Sequence, residues 1–106
     1  NTQINPNTTL YGNIQIGKDV MIAPNCMLSG GNHNFNDMSK PMRFQGSNSI
    51  GIVIGDDVWI GANSVIVDGV IIGKGSVIGA GSVVIKNIKM YSVAIGNPCK
   101  VIRERR

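Results

Sequence analysis

The chain contains one histidine, His33, within the polar stretch "LSGGNHNFNDMSKPMRFQGSNSIG", residues 28–51. An imidazole titrates near neutrality, which suits it to take a proton from a weak nucleophile such as a hydroxyl. Asn32, Asn34, Asn36, Asp37, Lys40, Arg43 and Gln45 share the stretch and make it too polar to pack as an apolar wall. The two cysteines, Cys26 and Cys99, stand far apart, form no CxxC pair and have no histidine cluster beside them. That spacing argues against a disulfide framework and a zinc site, and for two reduced thiols in a cytoplasmic protein. Residues 86–106 carry Lys86, Lys89, Lys100, Arg103, Arg105 and Arg106 against a single acid, Glu104, and the formal net charge is +4. A basic end of this kind can meet nucleic acid, an acidic lipid surface or a phosphorylated small molecule. Nucleic-acid readers usually add stacking aromatics or a recognisable motif, and neither is found here. Arg105 and Arg106 are expected to be solvated.

The elements that must position these groups follow a period of six. Ile4, Leu10, Ile16, Ile22 and Leu28 each open a six, and Ile54, Ile60, Ile66, Ile72, Ile78 and Val84 do so again after the polar stretch. The second position is usually Gly or Ala, the fourth Asn, Asp or Gly, and the fifth small or Val. Such a period fits neither an amphipathic helix nor a hairpin meander; it fits a solenoid with short strands for sides. Hydrophobic content is 42% but aromatic content 5%, so the core must be aliphatic, and β-branched residues favour strands. The first residue of each six should point inward and the fifth should add a smaller inward contact. Asn, Asp and Gly belong at corners, where positive φ is often needed.

Coils stacked about 4.8 Å apart would form parallel sheets, and three sixes per coil predict roughly five to six coils. The expected fold is all-β: a parallel β-helix of triangular cross-section, one domain over residues 1–106. No apolar run approaches the length of a membrane span, and no signal peptide is apparent. The chain begins at Asn1 without a methionine, so an upstream segment is expected to be missing. Flat outer faces and open ends favour oligomerisation, and side-by-side packing about a threefold axis suits a triangular prism.

The spacing from Leu28 to Ile54 is no multiple of six, so the segment of about residues 29–50 should leave the wall as an excursion. Loops thrown out from rigid scaffolds often carry function. Phe35, Met38, Met42 and Phe44 would be awkward on a free loop and are expected to pack against a neighbouring surface.

"IAPNCMLSGGNH", "IGDDVWIGANSVI", "IGKGSVIGAGSVV" and "VAIGNPCKVIRER" together resemble the hexapeptide-repeat acetyltransferases. The resemblance spans about residues 12–104. It is strongest to the galactoside, maltose and streptogramin acetyltransferases and the bacterial polysaccharide O-acetyltransferases. It implies a left-handed β-helix, a homotrimer with active sites between subunits, and acetyl-coenzyme A as co-substrate. Handedness comes from the resemblance alone, since right-handed crossovers are the default. His33 would be the general base acting on an acceptor hydroxyl. An oxyanion donor would be the backbone N–H of Ala62, where some relatives carry a serine. Trp59 would line the acceptor and thioester pocket, and Asn32, Asn34, Phe35 and Asp37 would shape the acceptor side. Gly79 and Ala80 would leave backbone open to the pantetheine arm, and Lys86, Lys100 and Arg103 would meet the phosphates. About residues 97–106 form a basic C-terminal tail, with Arg105 and Arg106 as its solvated end.

The leading expectation is therefore an acetyl-coenzyme A-dependent O-acetyltransferase acting on a sugar or saccharide. N-acylation of an amino sugar and a streptogramin-type xenobiotic activity are the enzymatic alternatives. A trimeric β-helix module without activity is the remaining class, and a purely structural solenoid needs neither the His33 motif nor Trp59. The gamma-type carbonic anhydrases share the fold but need three histidines around zinc, and this chain has one.

Overall fold

The structure is a computed structural model that describes all of residues 1–106. It is built from short strands with a single 3-10 turn, Met42–Phe44, and no α-helix. No helix is long and apolar enough to cross a membrane. The chain winds round three parallel sheets in turn. The first face carries strands Gln3–Ile4, Met21–Ile22, Trp59–Ile60, Val77–Ile78 and Ser92–Gly96. The second carries Thr9–Gly12, Met27–Gly30, Val65–Ile66 and Val83–Val84. The third carries Ile14–Ile16, Ile52–Ile54 and Ile71–Ile72, with Ile88 adding a bridge. Gln3 pairs with Met21 and Val65 with Val83, a register in which each coil takes three sixes.

Side-chain alternation along these strands explains the period. Ile22, Ile60 and Ile78 on the first face, Leu28, Ile66 and Val84 on the second, and Ile54 and Ile72 on the third open their sixes and fill the axis of the prism. The fifth positions add Val20, Cys26, Val58, Val70 and the buried serines Ser64, Ser76 and Ser82. These serines are satisfied by corner carbonyls: the Ser82 hydroxyl donates to Gly79 O at 2.6 Å and the Ser76 hydroxyl to Lys89 O at 2.9 Å. At the fourth positions Asn25, Asp57 and Asn63 adopt φ of 64°, 55° and 61°, as the corner chemistry requires. The glycines at second positions answer to stacking. A Cβ on Gly61 would stand 2.5 Å from Ala80 N in the coil above.

The turns are fewer than the period alone predicts, with five parallel strands on the first face, four on the second and three on the third. Two departures from the repeat account for this. Met21 pairs with Trp59 in the next coil, a far wider step in sequence than that from Gln3 to Met21. The excess is a single insertion between the second and third faces of that coil. At the far end, Cys99–Glu104 turns back antiparallel on Ser92–Gly96 and closes the sheet edge. The expected basic tail is thus largely a strand. Arg105 is anchored too: its guanidinium donates to Asp57 Oδ2 and to Gly75 O, both at 3.1 Å, and its N–H to Tyr91 O. A corner that brings an acid and a free carbonyl together holds the guanidinium where a solvated side chain was expected.

A candidate active site at the foot of the excursion

The excursion leaves from the second-face strand Met27–Gly30 and returns into the third-face strand Ile52–Ile54. Its two arms are zipped at the base by an antiparallel pair, Asn32–His33 with Ser47–Asn48. Asp68, at the same corner one coil higher, ties both arms down. Its Oδ2 accepts from the Ile50 N–H at 2.8 Å and from the Asn32 amide at 3.3 Å, and its Oδ1 accepts from the Gly51 N–H at 2.7 Å. The Ile50 N–H holds the Asp68 carboxyl below its ordinary value; desolvation opposes this, and the Gly51 and Gly69 N–H groups add to it.

The tip is held internally. Gln45 Oε1 accepts from the Asp37 N–H at 3.1 Å, and its amide donates to the carbonyls of Asp37 and Lys40, both at 2.7 Å. Asp37 in turn accepts from the Ser39 hydroxyl at 2.6 Å and the Ser39 N–H at 2.9 Å, and the hydroxyl chiefly holds its carboxyl below the usual value. Asn34 donates to Gln45 O at 3.2 Å, and the Ser49 hydroxyl donates to Gly30 O. Asn32, Asn34 and Asp37, expected to shape an acceptor pocket, therefore have their polar groups engaged in holding the loop. Phe35 lies at the tip with Met38 and Met42, and Phe35, Met38, Met42 and Phe44 are all largely exposed in the single chain, Met38 by 95%.

The polar groups left free at the base are different ones. The imidazole of His33, the hydroxyls of Ser47 and Tyr11 and the side-chain amide of Asn48 make no hydrogen bond within the chain. Ser47 is His33's cross-strand partner, so the two side chains leave the hairpin on the same side. Tyr11, Ser47 and Asn48 line a shallow depression of about 190 Å³ floored by Gly12, Gly30 and Gly31. Tyr11, Ser47 and Asn48 were missed from sequence: Tyr11 sits in the repeat, and the other two look like ordinary loop residues.

The other expected site residues fall elsewhere. Lys86 follows Val83–Val84 and so stands at the excursion's corner, two coils above it. Trp59 and Arg103 lie on the first face, in one outward row with Met21, Val77 and Val93. Trp59 is half exposed, in a depression shared with Asp57, Ser76 and Arg105. Arg103 bonds its own chain, donating to Glu104 O at 2.9 Å. Ala62, Gly79 and Ala80 line the corner between the first and second faces, with Lys100 near its top opposite Ile95. The N–H groups of Ala62 and Ala80, stacked one coil apart, form no hydrogen bond within the chain. Gly79 has a packing reason that the sequence did not reveal. Ile95 fills the place of its missing side chain, 2.7 Å from where a Cβ would stand, so this backbone is covered there rather than open. One chain thus does not bring His33 together with Trp59 or Ala62.

The bacterial transferase hexapeptide (six repeats) pattern matches residues 1–30 and 51–86, on either side of the excursion. The chain is 46% identical over 92 residues to the galactoside O-acetyltransferase of Escherichia coli K12, covering 86% of this chain and 44% of that protein. It is similar in structure to a hexapeptide-repeat acetyltransferase of Vibrio cholerae O1 biovar eltor solved with acetyl-coenzyme A, at a TM-score of 0.87 and 34% identity. That match covers 99% of this chain and 57% of the other. A maltose O-acetyltransferase of Clostridium difficile 630 matches with a TM-score of 0.79 and 34% identity, over 96% of this chain and 63% of its own. The chain spans between 32% and 59% of the length of the curated relatives it matches first.

Proposed function

The chain belongs to the bacterial hexapeptide-repeat transferases, and on that premise we propose that it moves an acetyl group from acetyl-coenzyme A to a hydroxyl of a sugar or saccharide. The observation that carries this reading is the free imidazole of His33 at the base of the excursion, between Asn32 and Asn34, whose side chains are occupied in fixing the loop. His33 accepts the proton of the acceptor hydroxyl as the oxygen attacks, a role typically worth about 10²- to 10⁴-fold in rate. Acetyl-coenzyme A, when bound, supplies the activated acyl thioester. The donor set suits it: the unpaired N–H of Ala62 is available to negative charge developing on an acyl oxygen. Ala80 offers a second free N–H on the same corner, beside Gly79, and Lys86, Lys100 and Arg103 are cations suited to phosphates.

Since His33 and Ala62 stand at different corners, the site in this reading is completed between subunits. Three left-handed prisms pack about a threefold axis, and the excursion of one closes on the first face and corner of the next. Trp59 and the apolar tip residues Phe35, Met38, Met42 and Phe44 gain cover there. The homologous proteins' use of sugars and acetyl-coenzyme A supports the assignment, and the cytoplasm, where that thioester is available, is the compartment it calls for. N-acylation of an amino sugar, or a streptogramin-type activity, would use the same residues on a different acceptor.

The test is release of free coenzyme A from acetyl-coenzyme A across a panel of sugars, nucleotide sugars and amino sugars, wild type beside His33→Ala. A hundredfold or greater loss with one hydroxyl acceptor is expected. Turnover that the substitution leaves intact removes His33 from the mechanism, and transfer confined to amines replaces the O-acetyl reading.

A further inference from the structure

We infer that Ser47 is the positioning residue of His33: its hydroxyl oxygen accepts from the imidazole Nδ1–H and so leaves the Nε2 lone pair as the one that takes a proton. The contact and the tautomer stand on the hairpin's geometry; only their catalytic use rests on the acetyl-transfer reading. The register carries the inference. The Asn34 N–H donates to Gly46 O at 3.0 Å, so Asn34 faces Gly46 in a hydrogen-bonded pair. Such pairs alternate along an antiparallel ladder. Asn32 and Asn48 are therefore hydrogen-bonded, and His33 and Ser47 are the non-hydrogen-bonded pair between them. That is the kind of pair whose side chains stand closest, on one side of the hairpin, with Cβ atoms about 4.5–5.5 Å apart. Oγ is bonded directly to its Cβ and Nδ1 lies one atom beyond its own. A χ1 rotation at these two exposed residues brings the atoms to hydrogen-bond distance.

The other polar side chains on that side of the hairpin are engaged. The diagonal neighbours of His33 across the ladder are Gln45 and Ser49. Gln45 is bonded to Asp37 and Lys40, and Ser49 donates to Gly30 O. On its own arm the residues two away are Gly31 and Phe35, which offer an imidazole no side-chain acceptor. The region's carboxylates are taken as well, Asp37 by Ser39, and Asp68 by the Ile50 and Gly51 N–H groups and the Asn32 amide. Ser47 is left, with its hydroxyl unpaired. The tautomer of a neutral histidine is set by the hydrogen bond that one ring nitrogen makes, which leaves the other free to act. As the acceptor hydroxyl attacks, its proton goes to Nε2, and Nδ1–H stays on Ser47 Oγ. A hydroxyl fixes the ring in this way without adding a formal charge beside it.

The experiment is nitrogen NMR of the isotope-labelled imidazole in the intact, untagged protein, without ligands, at a pH where the ring is neutral. His33 is the chain's only histidine, so the ring signals need no further assignment. A free imidazole side chain prefers the Nε2–H tautomer. Wild type should show Nδ1–H instead, and Ser47→Ala should revert to Nε2–H. Ser47→Thr keeps the hydroxyl and should retain Nδ1–H. In coenzyme A release, Ser47→Ala should lower kcat about tenfold, the scale of one hydrogen bond, at unchanged KM. Ser47→Thr should recover most of that loss. Equal thermal melts for the variants exclude unfolding as the cause. Wild type in the Nε2–H form, or a tautomer that Ser47→Ala leaves unchanged, overturns the inference. A tautomer that follows the Ser47 hydroxyl, with no coenzyme A released for any acceptor, leaves Ser47 in its positioning role and sinks the acetyl-transfer reading instead.

Discussion

The prism wall and the excursion solve the same problem, satisfying polar groups around a fixed backbone, in opposite ways. In the wall each coil is completed by its neighbours. Ile60 lies between Ile22 and Ile78 with no exposed surface, and corner carbonyls receive serine hydroxyls from the interior. In the excursion no coil lies above or below, and side chains do the work of neighbours: Gln45, Asp37 and Ser39 hold the tip, and Asp68 reaches across to hold the feet. The wall's order is thus shared over many aliphatic contacts, whereas the excursion's depends on a few polar ones. What remains unpaired in the wall is backbone N–H at a corner; in the excursion it is side chains able to do chemistry.

The sharpest way to test this contrast is to remove bulk from each region. Ile60→Ala should cost about 2–5 kcal/mol, the usual range for emptying a fully buried site, read as a fall in Tm. Met38→Ala, at a side chain 95% exposed, should stay within about 0.5 kcal/mol. A Met38→Ala variant that melts as early as Ile60→Ala would break the contrast, because the tip would then be buried against another copy in solution and stability would no longer end at the wall.

The same contrast explains what was legible in the sequence. The wall repeats because each six meets the same environment, so Ile22, Ile60 and Ile78 announce their places by spacing alone. The positive φ at Asn25, Asp57 and Asn63 is similarly foreseeable from residue type. Gly79 was not, since its neighbour Ile95 belongs to the last coil, which departs from the period. In the excursion the period is gone and composition cannot separate groups that hold from groups that are free. Asn32 and Asn48 are alike in type and paired in register, yet Asn32 is bonded to Asp68 and Asn48 is unengaged. Tyr11 meets Ser47 and Asn48 in one depression only because the excursion folds back beside the second face.

Next in size is the tether. Asp68→Asn keeps the side chain's shape, but one of the two N–H groups, of Ile50 or Gly51, must then face an amide NH₂. The excursion should exchange amide protons faster over residues 31–48 while the wall is unchanged. Misplacing His33 by a fraction of an ångström to an ångström should lower kcat by about tenfold or more. Acid should do the same to the unaltered chain. The Asp68 carboxyl is held below its ordinary value of 3.8, so its contribution is fully present above that value and is lost as pH falls through the lower folded one. Amide NMR between pH 5 and 2 should show residues 31–48 loosening before the wall. In Asp68→Asn this acid step should shrink without vanishing, since Asp37 is shifted in the same direction. Wall and excursion loosening together would make the tether irrelevant.

The smallest effects separate residues within the wall itself. Ser64 and Ser82 occupy equivalent fifth positions and are both buried, so a simple count of hydrogen bonds would give them equal weight. Their neighbours make them unequal. Ser64 donates to Gly61 O at 2.8 Å and Gly79 O at 3.2 Å, but Cys26 Sγ also donates to Gly61 O, and the Ser82 hydroxyl to Gly79 O. Ser64→Ala therefore strands no acceptor and should cost about 0.5–1 kcal/mol. The Ser82 hydroxyl also accepts from the Gly96 N–H at 3.2 Å, where the chain turns toward its antiparallel last strand. Ser82→Ala leaves that donor without its partner and should cost about 1–2 kcal/mol, with faster exchange at Gly96. Equal losses in the two variants would mean that the wall treats its coils alike even at its edge, and that the closing strand does not depend on the serine beneath it.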